Sequence, residues 1–447
     1  MTATWSEVSR PDSRRPDPAA IAQCARTGRV SEAASLYRGS EPFSARSDAP
    51  YHVAVAKALR ETSCEDALAL ASQALGVALE VAGSSAADRR ARAEAAHEMG
   101  DITYEAREYK TSQEWYEEAI STQLAVGGSG VMALSRSGVA NCEKDKGNLA
   151  RAIGEYRKAL ALAPKDPTFV FNLAQAYEYV QDYESAVGLL TQFTEELARN
   201  NNRDMTTVNH FAIPLLFVKL CFAGGPKYHG MLKQLFGHIQ SFPDVATQAV
   251  QGLATHWAYY FFLSRLLASA VPSPHTAGAP PLFVIGDSHV LSTAWCEVRF
   301  RGQPHVLTPR LATGLQAFHL REGHAFLTVS NVEECFRSLP EGTAEALWVV
   351  GEIDCREGIP GAVRKGKYAS LEAAVAATVE VYIAAVKRLS DRYGVTLYPV
   401  SVCPPCNPAY KDRIQATRLF NDALREAFPR LIDLAATVTT PPPPPSY

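Results

Sequence analysis

The sequence predicts two unlike parts, an all-α helical solenoid followed by an α/β domain on a parallel sheet, joined by a proline-rich connection. Three observations carry this reading. Up to about residue 270, apolar and small residues recur at helical spacing and strand-like alternation is rare. Residues 271–281, Val-Pro-Ser-Pro-His-Thr-Ala-Gly-Ala-Pro-Pro, have the composition of a domain boundary. Beyond them, short apolar runs that end in Gly or Pro alternate with long helical stretches, the pattern of buried strands covered by helices.

The polar, Pro-rich residues 1–18 are expected to be disordered, and residues 19–270 to form the helical part. An internal repeat runs through it. Ala140, Gly147, Ala152 and Ala159 are followed 34 residues later by Ala174, Gln181, Ala186 and Phe193, and Gly100, Ser112 and Ala119 precede them in the same order. The pieces R-E-Y-K-T-S from Arg107, G-N-L-A-R-A from Gly147 and Q-D-Y-E-S-A from Gln181 each read as a turn and the opening of a second helix. Small residues let antiparallel helices approach closely, while Tyr109, Leu149 and Tyr183 fill the space beside them. This pattern resembles the tetratricopeptide repeat (TPR), clearest over residues 93–200, with degraded copies near Gly28 and Glu65. Residues 205–270 read as helical but do not fit the repeat and are expected to cap it. The resemblance implies a concave face that binds a protein or peptide.

In the second part, strands are expected at Leu282–Ile285, Ala346–Val350, Val395–Val402 and around Leu431–Leu434. Helices are expected over Ser370–Tyr393 and Lys411–Phe428. A parallel sheet with helices on both faces follows, over residues 282–438, with a Pro-rich tail at 439–447. Function in such a sheet sits beyond the carboxyl ends of the strands. Gly286-Asp287-Ser288 and Gly351-Glu352-Ile353-Asp354 both fall there.

A strand L-F-V-I followed by G-D-S-H resembles the first block of the SGNH (GDSL-like) hydrolases, a three-layer, flavodoxin-like fold. The resemblance implies Ser288 as nucleophile of an ester or acyl hydrolase or transferase, with Asp287 fixing the turn. Gly314 then falls to the oxyanion hole, and Gly351 to Asp354 to the third block. The alternative for Asp287-Ser288 is a plain helix cap, and for Gly314 a turn residue. Two departures stand out. Ile353 occupies the place of the family's Asn, and losing such a donor typically costs roughly 100- to 1,000-fold in rate. The D-x-x-H block is absent, since no His follows His324. Asp433 and Ala436 stand in for its Asp and His, or the block lies beyond this sequence. The G-E-I-D-C-R form is similar to a divergent branch of the superfamily. If that segment is extended, Glu352, Asp354 and Arg356 share one side, and Arg356 offers a cation to an oxyanion or anionic substrate, or forms a structural ion pair. His319 and His324 are the candidate bases, alongside His305, in loops bordering the sheet; His289 adjoins Ser288 but is expected to diverge from it.

A formal charge of -3 leaves no electrostatic footprint for nucleic acid or an anionic membrane. No apolar stretch is long enough to span a bilayer, and the N-terminus has no apolar core of a signal peptide, so a cytoplasmic protein is the default. Nine scattered cysteines suit reduced thiols, and the lone C-x-x-C of Cys403 and Cys406 lacks a second ligand pair for zinc. No cofactor is implied. Two functions remain open: an esterase acting through Ser288 on an acylated, for instance carbohydrate, substrate, or a non-catalytic TPR scaffold whose SGNH-like domain is degraded or truncated.

Overall fold

The structure, a computed structural model, describes residues 16–39, 48–62, 65–125, 127, 129–199, 208–240, 254–269, 278–324, 326–405 and 407–439. Residues 1–15, most of the proline-rich connection, Cys406 and the tail from 440 lie outside the described residues. The chain divides into two compact units. One comprises Met1–Asp145 with Gly154–Pro164, the other Lys146–Ile153 with Lys165–Tyr447.

Thirteen helices are described ahead of the sheet: α1 (Pro18–Arg26), α2 (Val30–Gly39), α3 (Ala49–Arg60), α4 (Glu65–Val81), α5 (Ala86–Glu105), α6 (Tyr109–Leu124), α7 (Gly130–Asp145), α8 (Leu149–Leu162), α9 (Pro167–Tyr179), α10 (Tyr183–Arg199), α11 (Val208–Gly224), α12 (His229–Gln240) and α13 (Ala254–Ser269). The repeat register is visible in the backbone. The turns that open the repeated pieces place Arg107, Gly147 and Gln181 at φ of 63°, 89° and 61°. This left-handed conformation ends one helix so that the next can run antiparallel, and two of the three positions adopt it without glycine. In the first unit, the Tyr116 ring of α6 occupies the space beside Gly100 and Gly138. A Cβ at either glycine would lie 2.5 or 2.4 Å from that ring. The small residues of the repeat therefore admit an aromatic wedge. Arg60 ties α3 to α5 through Glu98, Asp101 and Glu105.

The sheet has five strands: β1 (Pro281–Gly286), β2 (Glu297–Phe300), β3 (Gln303–Leu311), β4 (Glu345–Val349) and β5 (Thr396–Pro399), in the order β2-β3-β1-β4-β5. All pairings are parallel except β2 with β3. The last expected strand is reduced to one parallel bridge, Val400 to Ile432. Leaving out β2, this is the doubly wound order that places a crevice where the chain reverses direction across the sheet, between β1 and β4. Gly286 sits at that point. A Cβ there would meet the Val349 carbonyl oxygen at 1.8 Å.

Helices α14 (Leu327–Arg337), α15 (Ile359–Arg364), α16 (Leu371–Tyr393), α17 (Lys411–Ala427) and α18 (Leu434–Thr439) follow or separate the later strands. Crossovers β3 to β4, β4 to β5 and β5 to Ile432 all advance the same way, so right-handed connections put their helices on one face. Phe336 of α14, Tyr382 of α16 and Phe420 of α17 indeed share one core with Phe283, Ile285 and Trp348. Only the step from β1 to β3 runs the other way, and a 3-10 turn with β2 makes it. The second helical layer expected from the sequence is not supplied by these crossovers. The opposite face, with Leu282, Val284, Leu347 and Val349, instead lines a cavity.

Candidate functional site

Asp287 leaves the end of β1 through a hydrogen bond from its backbone N–H to the Val349 carbonyl, 3.1 Å. Its side chain is fully buried and caps the short turn Ser288–Ser292, accepting from the His289 N–H at 2.9 Å. The same oxygen, Oδ1, accepts from the His289 ring at Nδ1, 2.8 Å. With the carboxylate oxygen as acceptor in this contact, Nδ1 is the donor. On the other side, His289 Nε2 lies 3.7 Å from Glu352 Oε2. The imidazole is thus held between two carboxylates. Burial acts to lower its pKa, but the Asp287 hydrogen bond and charge, with Glu352, outweigh that and raise it above 6.5.

Glu352 gathers the rest. Arg413, at the start of α17, donates to its Oε1 at 2.5 Å, and Arg356 lies 3.6 Å from its Oε2. Arg356 also meets Glu357 at 2.9 Å. The segment is not extended. Residues 352 and 353 are helical and Asp354–Gly358 forms a π-helical turn, so Glu352 and Arg356 meet as an i,i+4 pair. Asp354 therefore departs from their side and points inward, 1% exposed. Its carboxylate accepts from the Ala317 N–H at 2.8 Å and the Phe318 N–H at 3.4 Å. Burial pushes its pKa up to about 6, against the pull of those two N–H groups. Gly351 makes the bend possible, with φ at 120° and the Phe420 ring where a Cβ would stand.

The structure brings Asp287, His289, Glu352, Arg356 and Arg413 together. The hydroxyl of Ser288, half-buried beside them, forms no hydrogen bond among the described residues. His319 accepts from the Gln316 N–H at Nδ1, 3.3 Å, and packs edge-on against Phe326. Burial lowers its pKa, helped by Arg321 and His324. His324 also faces Phe326, and neither imidazole hydrogen-bonds to Ser288. His305 bonds the Gln303 carbonyl. Gly314 is an exposed turn residue at φ 70°. Sequence reasoning missed Arg413 and the central place of Glu352. No spacing pointed to a pair 61 residues apart, although two arginines and a glutamate near strand ends were a cue.

A second, sealed cluster holds the loop after β3. Glu178 of α9 and Lys219 of α11, 1% and 2% exposed, pair at 2.6 Å. Thr313 donates to Glu178 at 2.8 Å, and Lys219 lies 4.3 Å from the Tyr259 ring centroid. Burial alone would lower the Lys219 pKa, but Glu178 more than offsets it and the pKa is raised. Asn331 adds two bonds, accepting from the Thr313 N–H and donating to the Tyr179 carbonyl. The end of the repeat region and the start of the α/β region are thereby one packed body within the second unit.

No group of three or more His, Cys, Asp or Glu able to hold a metal ion is found among the described residues. Among those residues no helix is long and apolar enough to cross a membrane. Comparison with known proteins finds a TPR repeat at residues 140–179, covering the end of α7, all of α8 and all of α9. No curated protein matches the chain. The chain carries a TPR repeat in a helical N-terminal region, followed by a five-stranded, mostly parallel sheet.

Proposed function

We propose that the protein is an interaction scaffold: its TPR-type helices take a protein or peptide partner, and its α/β region is an SGNH-type domain that presents Ser288 without a base. The boundaries read from sequence, 19–270 for the helical part and 282–438 for the α/β part, go with this proposal. The TPR repeat supports the scaffold. Gly286-Asp287-Ser288 at the end of β1 and Gly351 beyond β4, at the point where the strand order reverses, support the SGNH reading. A single observation carries the assignment of a resting serine: His289 bonds Asp287 through Nδ1 and faces Glu352 at 3.7 Å through Nε2, and among the described residues no imidazole hydrogen-bonds to Ser288. A serine hydroxyl without a base is a poor nucleophile at neutral pH. Buried cysteines at 24, 221, 335 and 355 that form no disulfide suit a reducing, cytoplasmic setting.

One observation favours a second reading, ester hydrolysis through Ser288 on an acylated substrate. A buried Asp bonded to His Nδ1 is two-thirds of the acid–His–Ser arrangement. In that reading Asp354 and Gly314 shape the oxyanion loop and Arg356 faces the developing charge. A fluorophosphonate probe on the folded full chain separates the two. The scaffold reading expects no labelling at neutral pH; labelling abolished by Ser288→Ala supports the hydrolase. For the partner, Leu134 on α7 is a large apolar side chain left 47% exposed. Cross-linking of full-length protein to a captured partner should map to α7 and weaken in Leu134→Glu; cross-links confined to other surfaces contradict a TPR-borne interaction.

A further inference from the structure

Two cavities open at the carboxyl ends of the strands, and Arg413 lines both. The first, about 620 Å³, has a floor of Leu282, Val284, Leu307, Leu347, Val349 and Ile432, the sheet face that the crossover helices do not cover. Its polar end is formed by Asp287, His289, Glu352 and Arg413. The second, about 500 Å³, is walled by Arg356, Arg364, Lys411 and Arg413, with Asp412 the one acid among its lining residues. Arg413 and Arg356 are already shared with Glu352. Arg364 and Lys411 have no carboxylate partner among the described residues. Helix α17 begins here as well, and its cap residue Tyr410 makes no side-chain cap bond, so the first N–H groups of a 17-residue helix add partial positive charge.

We infer that the two cavities form one bipartite site for an anionic amphiphile, with a single aliphatic chain on the open sheet face and a phosphate- or carboxylate-type head among Arg356, Arg364, Lys411 and Arg413. The chemistry of each half selects its half of the ligand. The apolar floor offers a chain burial worth roughly 25 cal/mol per Å² and gives water few partners. Its volume is that of a small-molecule pocket rather than of a flat docking face. The basic half offers guanidinium forks and an ammonium to an anion, and two of its cations bring no counter-charge of their own. A neutral amphiphile would leave those cations unanswered, and a bare anion would leave the apolar floor wet. The site goes beyond the scaffold reading and does not require Ser288 to react.

Calorimetry on the full-length protein tests this, with dodecyl phosphate, dodecanol and inorganic phosphate below micelle-forming concentrations. Dodecyl phosphate should bind at least about tenfold tighter than dodecanol, and inorganic phosphate the weakest of the three. The double variant Arg364→Glu/Lys411→Glu, both on the surface, should erase that preference and leave dodecanol binding in place. Val349→Phe should weaken both dodecyl ligands; if it does not fold by circular dichroism, Val298→Trp on the edge strand β2 narrows the same cavity from its rim. Ser288→Ala should change none of the affinities, which separates this site from the hydrolase reading. Equal binding of dodecyl phosphate and dodecanol, no binding of either, or an undiminished preference in the double variant overturns the proposal.

Discussion

Two charged clusters lie within the same compact unit, and they differ in closure. Around Lys219 both partners are sealed, 2% and 1% exposed, with a threonine hydroxyl and a tyrosine ring against them and Glu178 Oε2 buried without a hydrogen-bond partner among the described residues. Around Glu352 the acids are buried, yet His289 keeps 43% and Arg356 41% of its side chain exposed. The first cluster has no room to meet anything and serves as an anchor: it fixes the loop after β3 to helices α9 and α11. The second keeps its cations half in solvent at the mouth of two cavities. Closure, rather than the mere presence of opposite charges, separates a structural pair from a site.

The largest effect that can break this comparison comes from the sealed pair. Lys219→Met leaves Glu178 buried and unpaired and should cost about 3–5 kcal/mol in urea unfolding, with much of it restored in the double variant Lys219→Met/Glu178→Gln. Next comes Asp354→Ala, which strands the Ala317 and Phe318 N–H groups; a loss of about 1–3 kcal/mol is expected. Arg413→Met in the open cluster should cost no more than about 1 kcal/mol, because Arg413 is 26% exposed and Arg356 still faces Glu352. A cost equal to that of Lys219→Met would show that the open cluster is as structural as the sealed one. Smallest is Ser288→Ala, within roughly 0.5 kcal/mol, since the hydroxyl has no described partner to lose.

What the sequence made legible was local. The 34-residue offset from Gly147 to Gln181 is a repeat of one turn, and the turn reappears as left-handed backbone at both positions. Runs ending in Gly286 and Gly351 are strand ends because backbone and an aromatic ring occupy the Cβ positions there. Features set by distant parts of the chain were not legible. The one-sided helix layer follows from strand order, which periodicity does not encode. The helical turn at Asp354 replaced an extended reading because the carboxylate is claimed by N–H groups 36 and 37 residues earlier. His289 is expected to diverge from Ser288, and it is turned to Asp287 and Glu352; what was not legible is that these two arrive from the ends of two different strands, β1 and β4.

The pH behaviour of His289 carries the central claim most directly. A folded pKa raised above 6.5 contributes stability that is present below the unfolded value and is lost as pH rises through the folded one. Nitrogen-15 shifts of the His289 ring, followed through pH in the full-length protein, should give a midpoint above 6.5 with the proton of the neutral form on Nδ1. Asp287→Asn should lower that midpoint, and Ser288→Ala should leave both midpoint and tautomer unchanged. A midpoint or tautomer that shifts in Ser288→Ala would mean that the imidazole is coupled to the serine, and would contradict the reading of Ser288 as a residue without a base.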